Sequence, residues 1–492
     1  MHRLSRLALG LGAMFALGST APRAQTQTAV YLPNDIQLRL AGSATVGQKL
    51  TQELAAAWAK KLGLTSVRVN AGLDPDEYEI AAERSESSRR LRVDVKAKGT
   101  GSGMEALLRG QADFWMASRQ ARESDIEASR RRNVTNAPSL AQFTALGTEH
   151  IIALDALAVV VNGRNPVKRL SLAQMRDIYS GRTNNWSQVG GPNLPMAIYA
   201  LDLNFGDNDV FCGAVMGITD SQKCLDGMPK LAAPRFSVLE EMPDAVAGNP
   251  GGIGYVSLGN RRSARPVQIG TECNTGIEAD GFRVKSDEYP LARRLYLYSH
   301  PTRPLTPAAR AFLDFVLSAD GQAAVAKSGF SDLAPGVATE GYGADRLDSA
   351  RDAQDGGRLR IRPTDVRAFE DATAAADRLS ITFRFQAGTN TLDNRAEVDL
   401  GRLASLMQQP ANAQMQVVLI GYSGATGDYN ENRVLSRERA EAVRERLVTG
   451  FGIKDVMSIG VGPAAAVACN LDPAMGPLNQ RVEVWLRKKS AS

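Results

Sequence analysis

The sequence predicts an α/β protein with two folded units. Over about 300 residues, strand patterns alternate with helix patterns, an order that is typical of parallel sheets flanked by helices. From residue 334 to 377 the hydrophobic pattern fades and Gly, Ala, Asp and Arg dominate, which indicates an interdomain linker with a helical part near its end. Strands and helices then resume for about 115 residues, which predicts a small α+β unit. A chain of 492 residues is also longer than one hydrophobic core usually holds.

Composition and charge restrict the function classes. The chain carries 58 basic and 53 acidic residues, a formal net charge of +5. No basic stripe with interleaved aromatic residues is present, so nucleic acid is not an expected partner. The three histidines, His2, His150 and His300, are scattered and no CxxC pair occurs. We therefore expect neither a metal nor another cofactor.

The N-terminus resembles a secretory signal. Basic residues are followed by an apolar run from Leu7 to Leu17 and by small residues, with a plausible cleavage point after Ala24. The run is too short to cross a bilayer, and no later segment reaches 18 apolar residues. The sequence predicts a signal peptide over residues 1–24 and an exported, soluble mature protein.

Four cysteines suit an oxidising compartment. Cys212 and Cys224 are close in the sequence, whereas Cys273 and Cys469 lie far apart. Four cysteines allow three pairings, and the sequence fixes none of them. We favour a Cys212–Cys224 bridge, which would contribute about 2–3 kcal/mol by the loop-entropy estimate.

The first unit shows strand and helix patterns in alternation. Residues 153–161 (ALDALAVVV) form a nearly continuous apolar run, typical of a central parallel strand, with Asp155 as its one charge. A helix stripe recurs every four residues from Val46 to Leu62. The other expected strands are 36–40, 91–97, 112–116, 197–201 and 294–298, and residues 249–255 read as a turn into a strand. The other expected helices begin near Met104, Ser171 and Thr306.

A Gly- and hydroxyl-rich turn joins one of these strands to a helix. Residues 99–103 read Gly-Thr-Gly-Ser-Gly, and amides at a helix N-terminus can hold an anion. Thr45 lies in a second hydroxyl-bearing turn before a helix. An ordinary turn in the first case and plain helix capping in the second remain open alternatives. The nucleotide-binding glycine fingerprints fit poorly.

The second unit has its own sequence of elements. Ile381, Phe383 and Phe385 alternate as in a strand, and a helix pattern starts at Asp393. The expected later elements are a strand at 417–420, a charged helix at 436–447 and a closing strand at 482–486.

Residues 37–333 resemble the phosphate-type periplasmic solute-binding proteins of ABC importers. The resemblance rests on stretches in order, among them AGSATV (41–46), KGTGSGMEALLRGQADFWMASR (98–119) and NPGGIGYVSL (249–258). The resemblance implies two α/β lobes joined by two crossovers, with phosphate or another small oxyanion in the cleft. Carried over by position, the first-lobe ligand residues are Thr45, Thr100, Gly101, Ser102, Gly103, Ser118 and Arg119.

The second lobe departs from the family pattern. Leu201 stands where an Arg is typical, Phe205 replaces a Ser and Asp207 replaces a Thr, while Gly206 fits. Loss of the Arg would remove a partner that contributes about 1.5–3 kcal/mol to phosphate binding. Arg119 or another cation would have to compensate, or the ligand has changed.

Residues 376–492 resemble the OmpA-like C-terminal domain, which binds peptidoglycan non-covalently. We predict that this domain spans residues 378–492. FRFQAGTNTLD (383–393) and NQRVEVWL (479–486) belong to the match. In that family an Asp and an Arg hold the diaminopimelate amine and carboxylate. Arg439 takes the Arg position and Asn432 that of a loop Asn, but Gly424 replaces the Asp. Asp428 could substitute, and a solvated helix face is the alternative role of Arg439.

Three functions compete at this point. The first is a periplasmic receptor, delivering its ligand to an ABC importer and tethered to the cell wall of a Gram-negative-type bacterium, on its outer-membrane side. The second is an envelope scaffold or adhesion protein whose ligand pockets have been lost. The third is an enzyme, which we do not expect, because neither GxSxG nor a metal-ligand spacing occurs.

Overall fold

The computed structural model describes residues 32–84, 88–134, 137–203, 205–229, 231–232, 234–270, 276–338, 342, 361–386, 389, 391–424, 427–468 and 476–489. The predicted signal peptide, residues 339–341 and 343–360 of the predicted linker, and Cys273 and Cys469 lie outside these residues. Within the described residues, none of the helices combines the length and the apolar character needed to cross a bilayer.

The predicted α/β class is confirmed by one large mixed sheet with helices packed on it. Its main path runs β2-β3-β4-β1-β5-β13-β6-β9-β8, and β10 pairs with β6. A small sheet, β12-β11-β7, lies beside it. The strands are β1 Asp35–Gly42, β2 Ser66–Ala71, β3 Glu77–Glu83, β4 Arg90–Lys96, β5 Phe114–Ala117, β6 Glu149–Val161, β7 Arg169–Ser171, β8 Ala197–Ile198, β9 Gly252–Ser257, β10 Arg265–Pro266, β11 Gln268–Gly270, β12 Gly276–Ile277 and β13 Ala292–Tyr298.

The apolar run at 153–161 is a central strand, but the predicted parallel pairing is wrong. Strand β6 pairs antiparallel with β13 over its first half and with β9 over its second half. Nearly all its residues are buried, because neighbours cover both edges and both faces. Burial of this kind explains a continuous apolar run whatever the direction of the neighbours. Strand β6 thereby carries the chain from the first lobe to the second.

Helices pack on both lobes, and several begin where the sequence predicts. Thr306 accepts a hydrogen bond from Ala309 N (3.1 Å), and Ser171 accepts one from Gln174 N (3.1 Å), so both residues cap helices. The α-helices of the first unit are Thr51–Lys61, Thr100–Leu108, Glu123–Arg131, Leu140–Phe143, Leu172–Tyr179, Gly206–Phe211, Ser221–Asp226, Glu241–Gly248, Gly281–Lys285, Pro307–Leu317 and Ala319–Lys327. Short 3₁₀ or π segments span Val46–Leu50, Trp186–Val189, Cys212–Met216 and Leu258–Asn260.

A disulfide stabilises the second lobe. Cys212 and Cys224 are bonded, as we favoured from their spacing, and both are buried. They join the segment that begins at Cys212 to the helix Ser221–Asp226. The bridge therefore fixes the wall of the second lobe that faces the first.

The C-terminal unit is a four-stranded sheet with a core on each face. Its order is β14-β17-β15-β16, with β14 Ala376–Phe383, β15 Met415–Tyr422, β16 Val456–Gly460 and β17 Arg481–Lys488. Its helices are Pro363–Thr373, Asn394–Met407, Tyr429–Glu445 and Gly476–Asn479, with short segments Pro410–Asn412 and Arg446–Gly450.

The helix Pro363–Thr373 falls within the segment that the sequence assigned to the linker. Its Phe369 and Ala372 are buried in one core with Val418 and Trp485 of the sheet. This part of the segment is therefore structural. The loss of periodicity in the sequence reflects a helix of only three turns with few apolar residues.

Candidate functional site

The helix Thr100–Leu108 begins inside the Gly- and hydroxyl-rich turn rather than after it. Gly99 precedes the helix at φ +94°, a conformation that favours glycine. Ser102 Oγ donates to Gly99 O (2.8 Å), and Trp115 Nε1 donates to Thr100 O (2.6 Å). These bonds fix the first helical turn against strand β5.

The glycines of this turn have different roles. A Cβ at Gly103 would lie 2.4 Å from Ala41 O and 2.2 Å from Trp115 Cδ1, so the helix packs directly on strands β1 and β5 there. A Cβ at Gly101 would meet nothing within 4 Å. Packing therefore explains Gly103 without a ligand.

The predicted ligand hydroxyls of the first lobe converge on one spot. Thr100 Oγ1 and Ser118 Oγ are 3.1 Å apart and hydrogen-bonded, and both side chains are buried. Gly206 of the second lobe closes over them, since a Cβ there would lie 2.0 Å from Ser118 Oγ and 3.4 Å from Thr45 Oγ1. The two lobes are thus in contact where the resemblance places an oxyanion, and the hydroxyls satisfy one another.

Arg119 is held by carboxylates. Its Nη1 and Nη2 each donate to Asp125 at 2.8 Å, and its Nε lies 3.4 Å from Asp209 Oδ2. Although burial disfavours the charged form, these carboxylates raise the pKa of Arg119 above its usual value. The cation expected to compensate for Leu201 is therefore already neutralised by this pairing.

The second-lobe departures have structural explanations. Leu201 and Phe205 are buried together in an apolar cluster. Asp207 accepts from Ser257 N (2.9 Å) and forms an ion pair with Arg293, which also bonds Asp155 (Nε to Oδ2, 2.8 Å). The carboxylate of Asp207 therefore belongs to a buried Asp155–Arg293–Asp207 group. Burial raises the pKa of Asp155, and Arg293 opposes that shift.

Sequence reasoning missed Arg293 as a functional candidate. It immediately precedes the strand pattern of 294–298 and lies 138 residues from Asp155 in the chain. The one available signal was Asp155 itself, because a single charge in an otherwise apolar central strand requires a partner.

A cavity of about 810 Å³ lies beside the closed hydroxyl cluster. Ser118 and Arg119 are the two predicted oxyanion residues in its described lining. The second lobe contributes Asp209, Val210, Gly213 and Ala214, and the C-terminal domain contributes residues that include Arg384, Phe385 and Leu478. The cavity is therefore shared between both lobes and the C-terminal domain.

The C-terminal domain is joined to the first unit through Asp287. This carboxylate accepts from Arg294 Nη2 (2.9 Å) and Arg395 Nη1 (2.6 Å), and Arg384 Nε lies 3.8 Å away. Burial favours the neutral form, but Arg395, Arg294 and Arg384 together hold the pKa of Asp287 well below its usual range. Asn394 Nδ2 also donates to Thr144 O (2.6 Å).

Arg439 is a buried cation of a different kind. It is 6% exposed, and its Nε and Nη1 have no hydrogen-bond partner within the described part of the chain. Its Cζ lies 5.0 Å from the Phe385 ring centroid, a cation–π contact. Burial lowers the pKa of Arg439. The solvated helix face considered as an alternative does not describe this residue.

The other predicted wall-binding positions lie on the same helix, Tyr429–Glu445. Asn432 is half-buried two turns before Arg439 and so lies on the same side of the helix. Asp428 Oδ1 accepts from Asn430 N (2.8 Å) and Glu431 N (3.0 Å), so it caps the helix. The capping role therefore engages one of the two carboxylate oxygens of Asp428 and holds this side chain at the helix N-terminus.

Comparison with known proteins identifies both units. Residues 77–320 match the model of the PBP superfamily domain, and residues 384–465 match that of the OmpA family. Protein SphX of Synechococcus elongatus is 26% identical over 259 residues, which cover 50% of this chain and 71% of that protein. The phosphate-binding protein PstS of Bacillus subtilis is 23% identical over 288 residues, 58% of this chain and 85% of that protein.

Two solved structures align with different parts of the chain. An ABC-type phosphate transport receptor from Vibrio cholerae covers 60% of this chain and 99% of its own, at 22% identity and a TM-score of 0.43. The periplasmic domain of Helicobacter pylori MotB covers 24% of this chain and 79% of its own, at 16% identity and a TM-score of 0.21. The chain therefore matches the PBP superfamily domain over residues 77–320, where it is similar in sequence to phosphate-binding proteins, and the OmpA family over residues 384–465.

Proposed function

We propose that this protein is a non-catalytic receptor of the bacterial periplasm that binds a small anion and is held at the cell wall by its C-terminal domain. The observation that carries the wall-binding part is the buried guanidinium of Arg439, with two nitrogens that lack a partner among the described residues. A buried N–H without an acceptor costs about 1–3 kcal/mol, which a ligand carboxylate would recover.

Arg439 suits recognition of a peptidoglycan carboxylate. Its planar guanidinium can donate two parallel hydrogen bonds to a carboxylate, and Phe385 holds the plane from one side. In the OmpA-like family the carboxylate belongs to diaminopimelate, and Asn432 would lie nearby. Because Gly424 and the capping role of Asp428 leave the amine without its usual partner, recognition would depend mainly on the carboxylate.

Sedimentation of the full chain with purified peptidoglycan tests this part. Arg439→Gln should raise the dissociation constant at least tenfold, since a charge-assisted pair contributes about 1.5–3 kcal/mol. Arg437→Gln, on the exposed side of the same helix, is the matched control and should bind as the wild type does. Retention of binding by Arg439→Gln would reject Arg439 as the residue that holds the peptidoglycan carboxylate, and failure of the wild type to sediment with peptidoglycan would leave the wall-binding role without support.

The solute-binding part rests on the buried hydroxyls. Thr45, Thr100 and Ser118 meet between the lobes, together with Gly206. An oxyanion such as phosphate or sulfate could replace the bond between Thr100 and Ser118, provided that the lobes separate and Gly206 moves away. The relatives named as phosphate-binding proteins support such a ligand, and transfer to an ABC importer would follow from it.

Calorimetric titration of phosphate and sulfate into the full chain tests the solute-binding part. Binding in the micromolar range, about −8 kcal/mol, that is lost in Ser118→Ala would support the receptor function. Thr148→Ala, a buried hydroxyl outside the cluster, is a suitable control.

A scaffold without a solute ligand is the second candidate, and the closed hydroxyl cluster favours it. Gly206 fills the space over Ser118, and Asp125 neutralises Arg119. Absence of heat in the titration, together with peptidoglycan binding that depends on Arg439, would select the scaffold.

We also propose the domain limits and the route of export. The solute-binding domain spans 37–333, and the wall-binding unit includes the helix Pro363–Thr373 and so begins near residue 361. Export with removal of residues 1–24 is tested by N-terminal sequencing of the periplasmic fraction, which should begin at Gln25.

A further inference from the structure

The cavity beside the hydroxyl cluster has features of a ligand site in its own right. At about 810 Å³ it falls within the range of about 300–1,000 Å³ that is usual for organic ligands. Inorganic phosphate would occupy only a small part of it. Its size therefore calls for a larger ligand than the one implied by the sequence resemblance.

The lining of the cavity is rich in guanidinium groups, most of which are paired with carboxylates. It contains Asp209, Asp287 and the arginines Arg119, Arg122, Arg293, Arg294 and Arg384. Carboxylates outside the lining also pair with Arg119, Arg293 and Arg294. Arg122 forms no ion pair with a described residue, and its Nη1 donates only to Thr219 O at 3.4 Å. The pKa of Arg384 falls to about 10 because burial, Arg481 and Arg294 disfavour its charge more than Asp287 favours it. An anion in the cavity would stabilise both cations.

Arg293 provides an independent sign of a missing acceptor. Its side chain is 4% exposed, it lines the cavity, and its Nη1 has no hydrogen-bond partner within the described residues. Asp155 and Asp207 neutralise the charge of Arg293 through its other nitrogens. The unsatisfied N–H therefore calls for an oxygen acceptor that the described protein does not supply.

Apolar and aromatic groups form the rest of the wall. Tyr289 and Tyr296 come from the crossover region, Val210 from the second lobe, and Phe385 and Leu478 from the C-terminal domain. Such surfaces gain free energy by covering an apolar body, which neither phosphate nor sulfate has.

We propose that this cavity binds an organic anion, with an oxyanion head group at Arg293 and an apolar body between the two tyrosines and Phe385. The shared chemistry is a phosphate or carboxylate head on an apolar group. The inference rests on the proposed receptor function and changes its ligand class. It also makes the C-terminal domain part of the ligand site, through Arg384, Phe385 and Leu478.

Gly213 offers a way to close the cavity with little disturbance of the fold. It lines the cavity, and a Cβ there would meet nothing within 4 Å. Gly213→Glu would place a carboxylate in the cavity, and Gly213→Gln would add the same bulk without the charge. Gly163→Glu, at an exposed turn that is equally open, is the matched control.

The test is calorimetric titration of phenyl phosphate, phenylacetate and inorganic phosphate into the full chain. We expect one of the two aromatic anions to bind at least tenfold more tightly than inorganic phosphate, and the preferred one identifies the head group. Gly213→Glu should weaken that binding at least tenfold, Gly213→Gln less, and Gly163→Glu not at all. If Gly213→Glu fails to fold, Arg122→Gln should weaken binding severalfold.

Three results would overturn this inference. The first is failure of both aromatic anions to bind, and the second is binding that Gly213→Glu and Arg122→Gln leave unchanged. The third is binding of inorganic phosphate as tight as that of the aromatic anions, sensitive to Ser118→Ala and insensitive to Gly213→Glu. In that last case the proposed receptor stands with phosphate as its ligand, and only the larger organic ligand is rejected.

Discussion

Arg119 and Arg439 were both predicted to hold an anion, and the structure places them in opposite situations. Arg119 donates twice to Asp125 and lies against Asp209. Arg439 is more deeply buried and packs on the face of Phe385, with two nitrogens unsatisfied in the described structure. Accordingly, the pKa of Arg119 is raised and that of Arg439 is lowered. Sequence resemblance locates a cation, but its neighbours decide whether it is available to a ligand.

Substitution of Asp287 should have the largest effect on stability, because three arginines share this carboxylate as a partner. Asp287→Asn should lower the free energy of unfolding by about 3–5 kcal/mol, because Arg294, Arg384 and Arg395 would lose a shared buried partner. Since the folded-state pKa is depressed, this stabilisation is present above about pH 4 and is lost as the pH falls further. Urea unfolding at pH 7 measures it. Asp244→Asn, in an exposed ion pair, should change stability by less than about 1 kcal/mol.

His150 differs from Arg439 because its side chain can be neutral in the folded protein, and this makes the stability depend on pH. Burial, assisted by Arg310, lowers the pKa of His150 to about 4. Between pH 6.5 and 4 the unfolded state binds more protons, so stability should fall as the pH falls, by up to about 3 kcal/mol. Urea unfolding of wild type and His150→Gln over this range should show a shallower pH dependence in the variant. Identical slopes would contradict the prediction.

Asp125→Asn should leave Arg119 without its main carboxylate partner and so make it more similar to Arg439. Loss of the charged acceptor should cost about 2 kcal/mol of stability. The same variant should bind sulfate more tightly than the wild type, because Arg119 regains donors for an anion. Thermal unfolding and calorimetry measure the two effects, with Asp177→Asn, in an exposed ion pair, as the control. Unchanged stability would show that Asp125 is not the main partner.

Arg439→Met should have the smallest effect on stability and the opposite sign. Replacing a buried cation that lacks a carboxylate with an apolar side chain of similar length should stabilise the fold by about 1 kcal/mol. Peptidoglycan binding should be lost at the same time. Destabilisation by more than about 1 kcal/mol would mean that the guanidinium has a structural partner after all.

Local patterns in the sequence predicted the elements better than their arrangement. The helices at Ser171, Thr306 and Asp393 begin at the predicted caps, because capping depends on residues three apart. The direction of β6 was wrong, since an apolar run reports burial and not the direction of its neighbours.

The sequence predicted the positions of several candidate site residues but not the ion pairs that they form. The resemblance located Thr100, Ser118 and Arg439, but Arg293 meets Asp155 and Asp207 only through the fold. The contact of Arg395 with Asp287, 108 residues away, likewise leaves no local signal. Ion pairs between distant residues depend on tertiary packing, which hydrophobic periodicity does not encode.

The Cys212–Cys224 bridge acts on the wall that carries Val210, Gly213 and Ala214. A cross-link between residues 12 apart removes conformations mainly from the unfolded chain, an effect of about 3 kcal/mol. In the folded protein the bridge also links two segments of this wall covalently, so less ordering entropy is lost when a ligand binds. Reduction of this one bond should therefore weaken ligand binding, because the wall becomes less ordered while each of its individual contacts with the ligand can still form.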